Sequence, residues 1–169
     1  MFRKKIICRE DGTPYLIRTY LFKSKLFQIV IHKVLQSDPD CLHDHPWNFI
    51  SLILWGGYWE GTTPEQKLRG FELEFFKIKH NANIYYRWYG PLSLLFRKAE
   101  WKHRLKLHDD NKKPIRSVDN LGNICVTGFK PKPCTTLVIM FKRKREWGFF
   151  TKAGWVPWQK YNNKEQRCD

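Results

Sequence analysis

The sequence predicts an all-β domain, built as a barrel or sandwich of many short strands. Segments rich in β-branched and aromatic residues recur along the chain, and such segments favour strands. Turn signals separate them at short intervals, which is the pattern of a sandwich or barrel. No long segment carries a 3.6-residue apolar period, so helix is expected to be scarce.

The elements follow in order. Residues 15–22 (YLIRTYLF) and 25–35 (KLFQIVIHKVL) flank Lys23-Ser24 and read as a hairpin. Ser37-Asp38-Pro39-Asp40 is a loop. Residues 47–55 (WNFISLILW) are apolar at alternate and intervening positions, as in a strand buried on both faces. Gly56-Gly57 breaks that run and Tyr58-Trp59-Glu60 resumes it, whereas the polar stretch 62–70 reads as an exposed loop. Further strands are expected at 71–77, 82–89, 92–97, 102–107, 124–129 and 135–142. Between them lie Gly90-Pro91, the polar stretch 109–122 and Pro131-Lys132-Pro133. Residues 1–160 read as one domain, and the polar residues 161–169 as a disordered tail.

Composition narrows the function. With 169 residues, 42% hydrophobic and 16% aromatic, the chain can bury a sizeable core. No apolar run reaches the roughly 18–20 residues of a membrane-crossing helix. The start, Met1-Phe2-Arg3-Lys4-Lys5-Ile6-Ile7, lacks the long apolar region of a secretory signal. Five cysteines at irregular spacings include no CxxC pair, so neither a disulfide framework nor a zinc ribbon is expected. A soluble protein of the reducing cytoplasm, without a membrane partner, fits these features. Walker loops, GxSxG elbows, HExxH helices and dinucleotide-binding glycine fingerprints are missing from the sequence.

The net charge is +15. Residues 1–60 carry eight Lys+Arg against six Asp+Glu, and residues 61–169 carry 23 against 10, so the second half holds +13 of the excess. Short runs such as Lys142-Arg143-Lys144-Arg145 contribute. A field of this sign attracts polyanions. It fits a simple basic surface, a small anionic substrate or, less readily, nucleic acid.

The informative segment is Cys41-Leu42-His43-Asp44-His45-Pro46-Trp47. On a strand, His43 and His45 point to one face and Asp44 to the other. Imidazoles two residues apart can converge on one ion, and Cys41, four residues from His45, is too distant without a bend. A third ligand must come from elsewhere. In Lys102-His103-Arg104-Leu105-Lys106-Leu107, His103 shares a face with Leu105 and Leu107, so it is expected to be buried. A buried imidazole needs a partner, and a metal or a hydrogen-bonding neighbour supplies one. His32, His80 and His108 read as structural or exposed.

His43-Asp44-His45, a strand and then Gly56-Gly57 resemble the first motif of the cupin superfamily, and His103 fits the histidine that a later strand adds to the cupin metal site. The closing segment Trp147-Gly148-Phe149-Phe150 with Gly154-Trp155-Val156-Pro157-Trp158 resembles the ends of small cupin-like proteins, several of them viral. The likeness spans roughly residues 15–160 and implies a cupin-like β-barrel, or jelly roll. The chain departs from the pattern where the first motif has glutamate, since Phe49 and Ile50 stand there. No Pro-x-Gly precedes His103. The remaining set is similar to the three-histidine centre of thiol dioxygenases. That resemblance implies one divalent ion on His43, His45 and His103, with Fe(II) favoured and Zn, Ni, Mn or Cu as alternatives.

Around such a centre, Asn83, Tyr85, Arg87 and Tyr89 share one strand face, and Ser93, Leu95 and Arg97 another. Arg87 and Arg97 are candidates to grip an anionic substrate group, with Tyr85 and Trp47 as pocket walls. Glu100, three residues from His103, is the candidate acid–base residue. The expectation is a metal-dependent enzyme acting on a small anionic substrate, an iron-dependent dioxygenase by the resemblance. The alternatives are a metal-dependent hydrolase of a phosphorylated or nucleotide substrate, and a non-catalytic module that binds a ligand or nucleic acid.

Overall fold

A computed structural model describes residues 2–67, 78–81, 84–118 and 124–161. Its strands in chain order are β1 (Lys4–Cys8), β2 (Pro14–Lys23), β3 (Phe27–Val34), β4 (Leu42–His43), β5 (Phe49–Trp55), β6 (Tyr58–Thr62), β7 (Ile78–Asn81), β8 (Ile84–Tyr89), β9 (Leu94–Arg97), β10 (His103–Leu107), β11 (Asp109–Val118), β12 (Ile124–Pro131), β13 (Cys134–Phe141), β14 (Gly148–Thr151) and β15 (Gly154–Pro157). Helix among the described residues is confined to α1 (Pro64–Lys67) and one 3-10 turn (Trp158–Lys160). None of it is long and apolar enough to cross a membrane.

Two antiparallel sheets make the body of a jelly roll. One has the order β1-β2-β3-β13-β5-β9 and the other β15-β14-β4-β10-β6-β8-β7, while β11 and β12 form a separate ribbon. Alternation places one face of each sheet inward. On β13, Cys134, Thr136, Val138 and Met140 are buried while their neighbours are not. The main core joins the two sheets, with Leu16, Val34, Ile53 and Cys134 from the first meeting Tyr58, Tyr89 and Leu107 from the second. A second cluster of Val30, Phe49, Val138 and Met140 fills the end nearer the histidines.

The hairpin expected over 15–35 is β2 and β3, and the expected strands at 47–55, 92–97, 102–107, 124–129 and 135–142 are β5, β9, β10, β12 and β13 with small shifts. The strand expected at 82–89 is present from Ile84 as β8, whereas the one expected at 71–77 lies outside the described residues. The basic N-terminal segment, for which no element was expected, is β1, paired with β2. Two expectations are corrected. The polar stretch from Asp109 is β11, whose backbone partner is β12 rather than solvent. Thr62 ends β6, and the supposed loop after it begins with α1.

Gly56 carries the turn from β5 to β6. Its φ of +76° belongs to the left-handed region, and a Cβ there would meet the Pro133 carbonyl oxygen at 2.5 Å. Gly148 lies within β14 opposite Pro157. A Cβ at this position would overlap the Val156 carbonyl, so the close pairing of β14 with β15 requires glycine.

Candidate metal centre

Three short backbone pairings assemble the histidines. β4 is only two residues long, and its His43 stands directly opposite His103 on β10. On its other side His43 pairs with Phe149 of β14. His45 lies just beyond the strand, where its N–H donates to the Ala99 carbonyl at 2.9 Å. Asp44 turns the opposite way. It is fully buried, accepts from Gly148 N–H at 2.8 Å and meets Arg145 Nη2 at 2.9 Å. The alternation read from the sequence therefore holds, although the strand itself stops at His43.

One ring nitrogen from each of His43, His45 and His103 lies within 4.8 Å of the others. The centroids of the three rings are 4.8–5.1 Å apart. His45 Nε2 and His103 Nε2 approach to 2.6 Å, so one imidazole donates to the other. Small ring rotations open that pair to the roughly 3 Å set by metal–nitrogen bonds of about 2.0–2.1 Å.

Burial pushes His43 down to about 4, with Asp38 partly opposing the shift. Burial, followed by the charges of His103 and His43, holds His45 well below its ordinary value. Both rings are therefore neutral at pH 7, the form that binds a metal.

Two buried carboxylates stand behind the rings. Glu60 Oε1 lies 2.5 Å from His103 Nδ1 and accepts its proton, which leaves Nε2 free to face the centre. Glu60 is 2% exposed and is gripped by Arg97, whose Nη2 and Nε donate at 2.5 and 3.1 Å. Burial alone would raise the Glu60 carboxyl. Arg97 and His103 outweigh it and hold the group well below the usual carboxylate range. Asp38 plays a looser part, with Oδ2 3.8 Å from His43 Nδ1. Its carboxylate accepts from Leu105 N–H at 2.5 Å and from the Tyr15 hydroxyl. His43 Nδ1 is buried without a hydrogen bond. Three converging imidazoles, two of them with a carboxylate behind, fit a nitrogen-bound divalent ion.

The other candidates are placed as follows. Arg97 is buried but held by Glu60 and by the Tyr89 hydroxyl at 3.0 Å, and its guanidinium lies 4.5 Å from the Trp101 ring. Its guanidinium neutralises the buried Glu60 carboxylate. Glu100 is exposed in the turn beside buried Ala99. The carboxylate hydrogen-bonded to His103 is Glu60, not Glu100. Sequence distance misled here, because three residues along a turning chain reverse the side-chain direction.

Arg87 and Tyr85 stand opposite Glu60 and Thr62 and share a face of β8 with Tyr89. The Arg87 guanidinium lies 6.0 Å from the Tyr89 ring. Trp47 is half-buried against the Val30, Phe49, Val138 and Met140 cluster, so packing accounts for it. Cys41 is disulfide-bonded, contrary to the expectation of reduced thiols, whereas Cys8 and Cys134 are free.

Sequence reading missed Asp38 and Arg18. Asp38 had been absorbed into a loop. Arg18 faces inward on β2, opposite His32, and its Nε donates to His32 Nε2 at 2.8 Å. The alternation of Leu16, Arg18 and Tyr20 along β2 was the available signal for Arg18.

No family model matches the sequence, and no curated protein sequence matches it. Solved structures do. A cupin-2 domain protein from Rhodospirillum rubrum is 11% identical, with a TM-score of 0.52 over 90% of this chain and 78% of that one. The polyketide cyclase RemF from Streptomyces resistomycificus is 17% identical, with a TM-score of 0.47 over 85% of this chain and 77% of that one. HppE in its Fe(II) form is 11% identical, with a TM-score of 0.48 over 83% of this chain. This chain spans 56% of the length of HppE. The likeness to the cupin-2 domain shows a cupin-type fold, and among the described residues His43, His45 and His103 form a cluster that could hold a metal ion.

Proposed function

We propose that the protein is a mononuclear metal-dependent enzyme acting on a small anionic substrate, with an iron(II)-dependent dioxygenase as the favoured class. One observation supports this most strongly. His43, His45 and His103 converge with no carboxylate among them, while Glu60 stays behind His103 as its hydrogen-bond acceptor. An ion bound by three neutral ligands keeps open positions, and it supplies Lewis-acid polarisation or, as iron(II), dioxygen chemistry.

The protein residues have distinct tasks in this reading. Glu60 fixes the tautomer and tilt of His103. Arg97 keeps Glu60 ionised. Trp147 and Phe149, with ring centroids 6.0 and 5.6 Å from that of His43, shield its side of the centre from water. Arg87, on the inward face of β8, is the cation offered to the substrate's anionic group.

The test is metal analysis of protein purified anaerobically without chelator, followed by titration of the apoprotein with Fe(II) and Zn(II). A screen of anionic metabolites by thermal shift completes it. One equivalent of Fe(II), lost in His43→Ala and His103→Ala, is expected. Protein that binds neither ion would overturn the proposal. The concentration of +13 of the charge in residues 61–169 favours a second reading, a metal-dependent hydrolase of a phosphorylated or nucleotide substrate. One equivalent of Zn(II) with phosphate release from nucleotides would select it.

A further inference from the structure

One polar row crosses the inner face of the first sheet. Cross-strand register lines up Arg18 of β2, His32 of β3 and Thr136 of β13. Two residues along each strand in one direction, Leu16, Val34 and Cys134 belong to the main core. Two residues the other way, Val30 and Val138 belong to the second cluster, and Tyr20 packs against it. The row therefore separates the two apolar clusters. A cation and an imidazole at such a place cost stability unless they meet partners.

Arg18 has one partner. Its Nε donates to His32 Nε2 at 2.8 Å, so His32 accepts as a neutral ring with its proton on Nδ1. The pair carries the single charge of the guanidinium. Among the described residues no carboxylate meets that charge, and the two Nη groups make no hydrogen bond. The buried carboxylates are engaged elsewhere. Glu60 is held by Arg97 and His103, Asp44 by Arg145 and the Gly148 amide, and Asp38 by Tyr15 and the Leu105 amide. Arg97, the other inward arginine of this sheet, is neutralised by Glu60, whereas Arg18 is not.

The pair lies on the side of the histidine centre. Tyr20 packs on the cluster that contains Phe49, whose ring centroid is 4.7 Å from that of His45. The charges of His32 and Arg18 both act on the His45 ring.

We propose that Arg18, oriented by His32, anchors the anionic oxygen group of the substrate, a carboxylate or a phosphate, from the first sheet. The inference rests on the reading of the protein as an enzyme for a small anionic substrate. With Nε committed to His32, the guanidinium presents the edge formed by its two Nη groups. Parallel N–H donors on that edge match two oxygens of either anion. Arg87 stands on the opposing sheet, so the substrate meets a cation from each wall. His32 is a positioning residue, which acts by holding the guanidinium.

Isothermal titration calorimetry of the full chain, metal-free, with malonate and with inorganic phosphate tests the proposal. One site is expected, and Arg18→Gln should weaken it by about tenfold or more, the usual effect of losing hydrogen bonds to a charged group. His32→Leu should also weaken it, whereas His32→Gln, which keeps an acceptor for Arg18, should restore binding. That pair of variants decides the matter if Arg18→Gln fails to fold by circular dichroism. Binding of malonate alone identifies a carboxylate site, and of phosphate alone a phosphate site. Lys142→Gln/Lys144→Gln, altered at exposed positions, should bind as the wild type does. A wild type that binds neither probe, an Arg18→Gln variant with undiminished affinity, or an equal loss in the lysine variant overturns the proposal. Zinc titration separates the two readings. Arg18→Gln should still take up one equivalent of Zn(II). A wild type that binds no metal yet holds the anion through Arg18 sinks the enzyme reading and leaves this site standing.

Discussion

His103 and His43 face each other across one strand pair, yet they are held very differently. Glu60 meets His103 at 2.5 Å, and Arg97 in turn grips Glu60 with two hydrogen bonds. Asp38 stands 3.8 Å from His43, and its own hydrogen bonds go to the Leu105 amide and the Tyr15 hydroxyl. His103 is fixed by a fully assembled ionic network, while His43 Nδ1 makes no hydrogen bond. A buried ion pair is stiff because every charge must keep its partner. The difference predicts that a bound metal depends more on the carboxylate behind His103 than on the one behind His43.

The sharpest way to break this comparison is to remove the ligands. His103→Ala is expected to lower metal affinity by more than about 100-fold, beyond the usual effect of losing a residue behind a ligand. His43→Ala should do the same, with both folds intact by circular dichroism. Equal metal content in the variants and the wild type would refute the centre.

Glu60→Gln comes next. It should weaken the metal by about 10–100-fold. It should also destabilise the protein by about 3–5 kcal/mol in urea unfolding, because Arg97 is left buried without its counter-ion. Glu60→Gln/Arg97→Met should recover stability without recovering metal affinity. That result would separate the orienting role of Glu60 from its packing role. Asp38→Asn should cost about tenfold in affinity or less, and a loss as large as that of Glu60→Gln would erase the distinction between the two ligands.

A pH effect of intermediate size should arise from His32. Burial, followed by the Arg18 charge, pushes it down to about 3, whereas an unfolded histidine titrates near 6.5. Between those values the unfolded chain binds a proton that the native protein does not. Stability of the metal-free protein therefore falls as pH drops below about 6.5, by at most about 1.4 kcal/mol per unit from this residue. His32→Gln, which can still accept from Arg18, should reduce the slope seen in urea titrations between pH 7 and 5 and leave the share contributed by His43 and His45. The smallest effect is expected for Glu100→Gln: less than about twofold in metal affinity, because the side chain is exposed.

Local pattern determined much of this protein. Alternation in 15–35, 47–55 and 135–142 specified the strands of the first sheet, because side chains on a pleated backbone change face at every residue. The same rule paired His43 with His45, turned Asp44 away and buried His103. What surrounds those imidazoles was settled only by tertiary structure. Glu60 lies 43 residues from His103 in sequence and Asp38 lies 67 from Leu105, and no local pattern encodes which strands become neighbours. The register of β6 against β10 and β8 sets Glu60 beside His103 and Arg87 beside Glu60. A turn at Ala99 sends Glu100 into solvent. The apolar outer face was equally legible as composition, but only the fold shows that Phe22, Trp55, Leu94 and Phe96 are exposed.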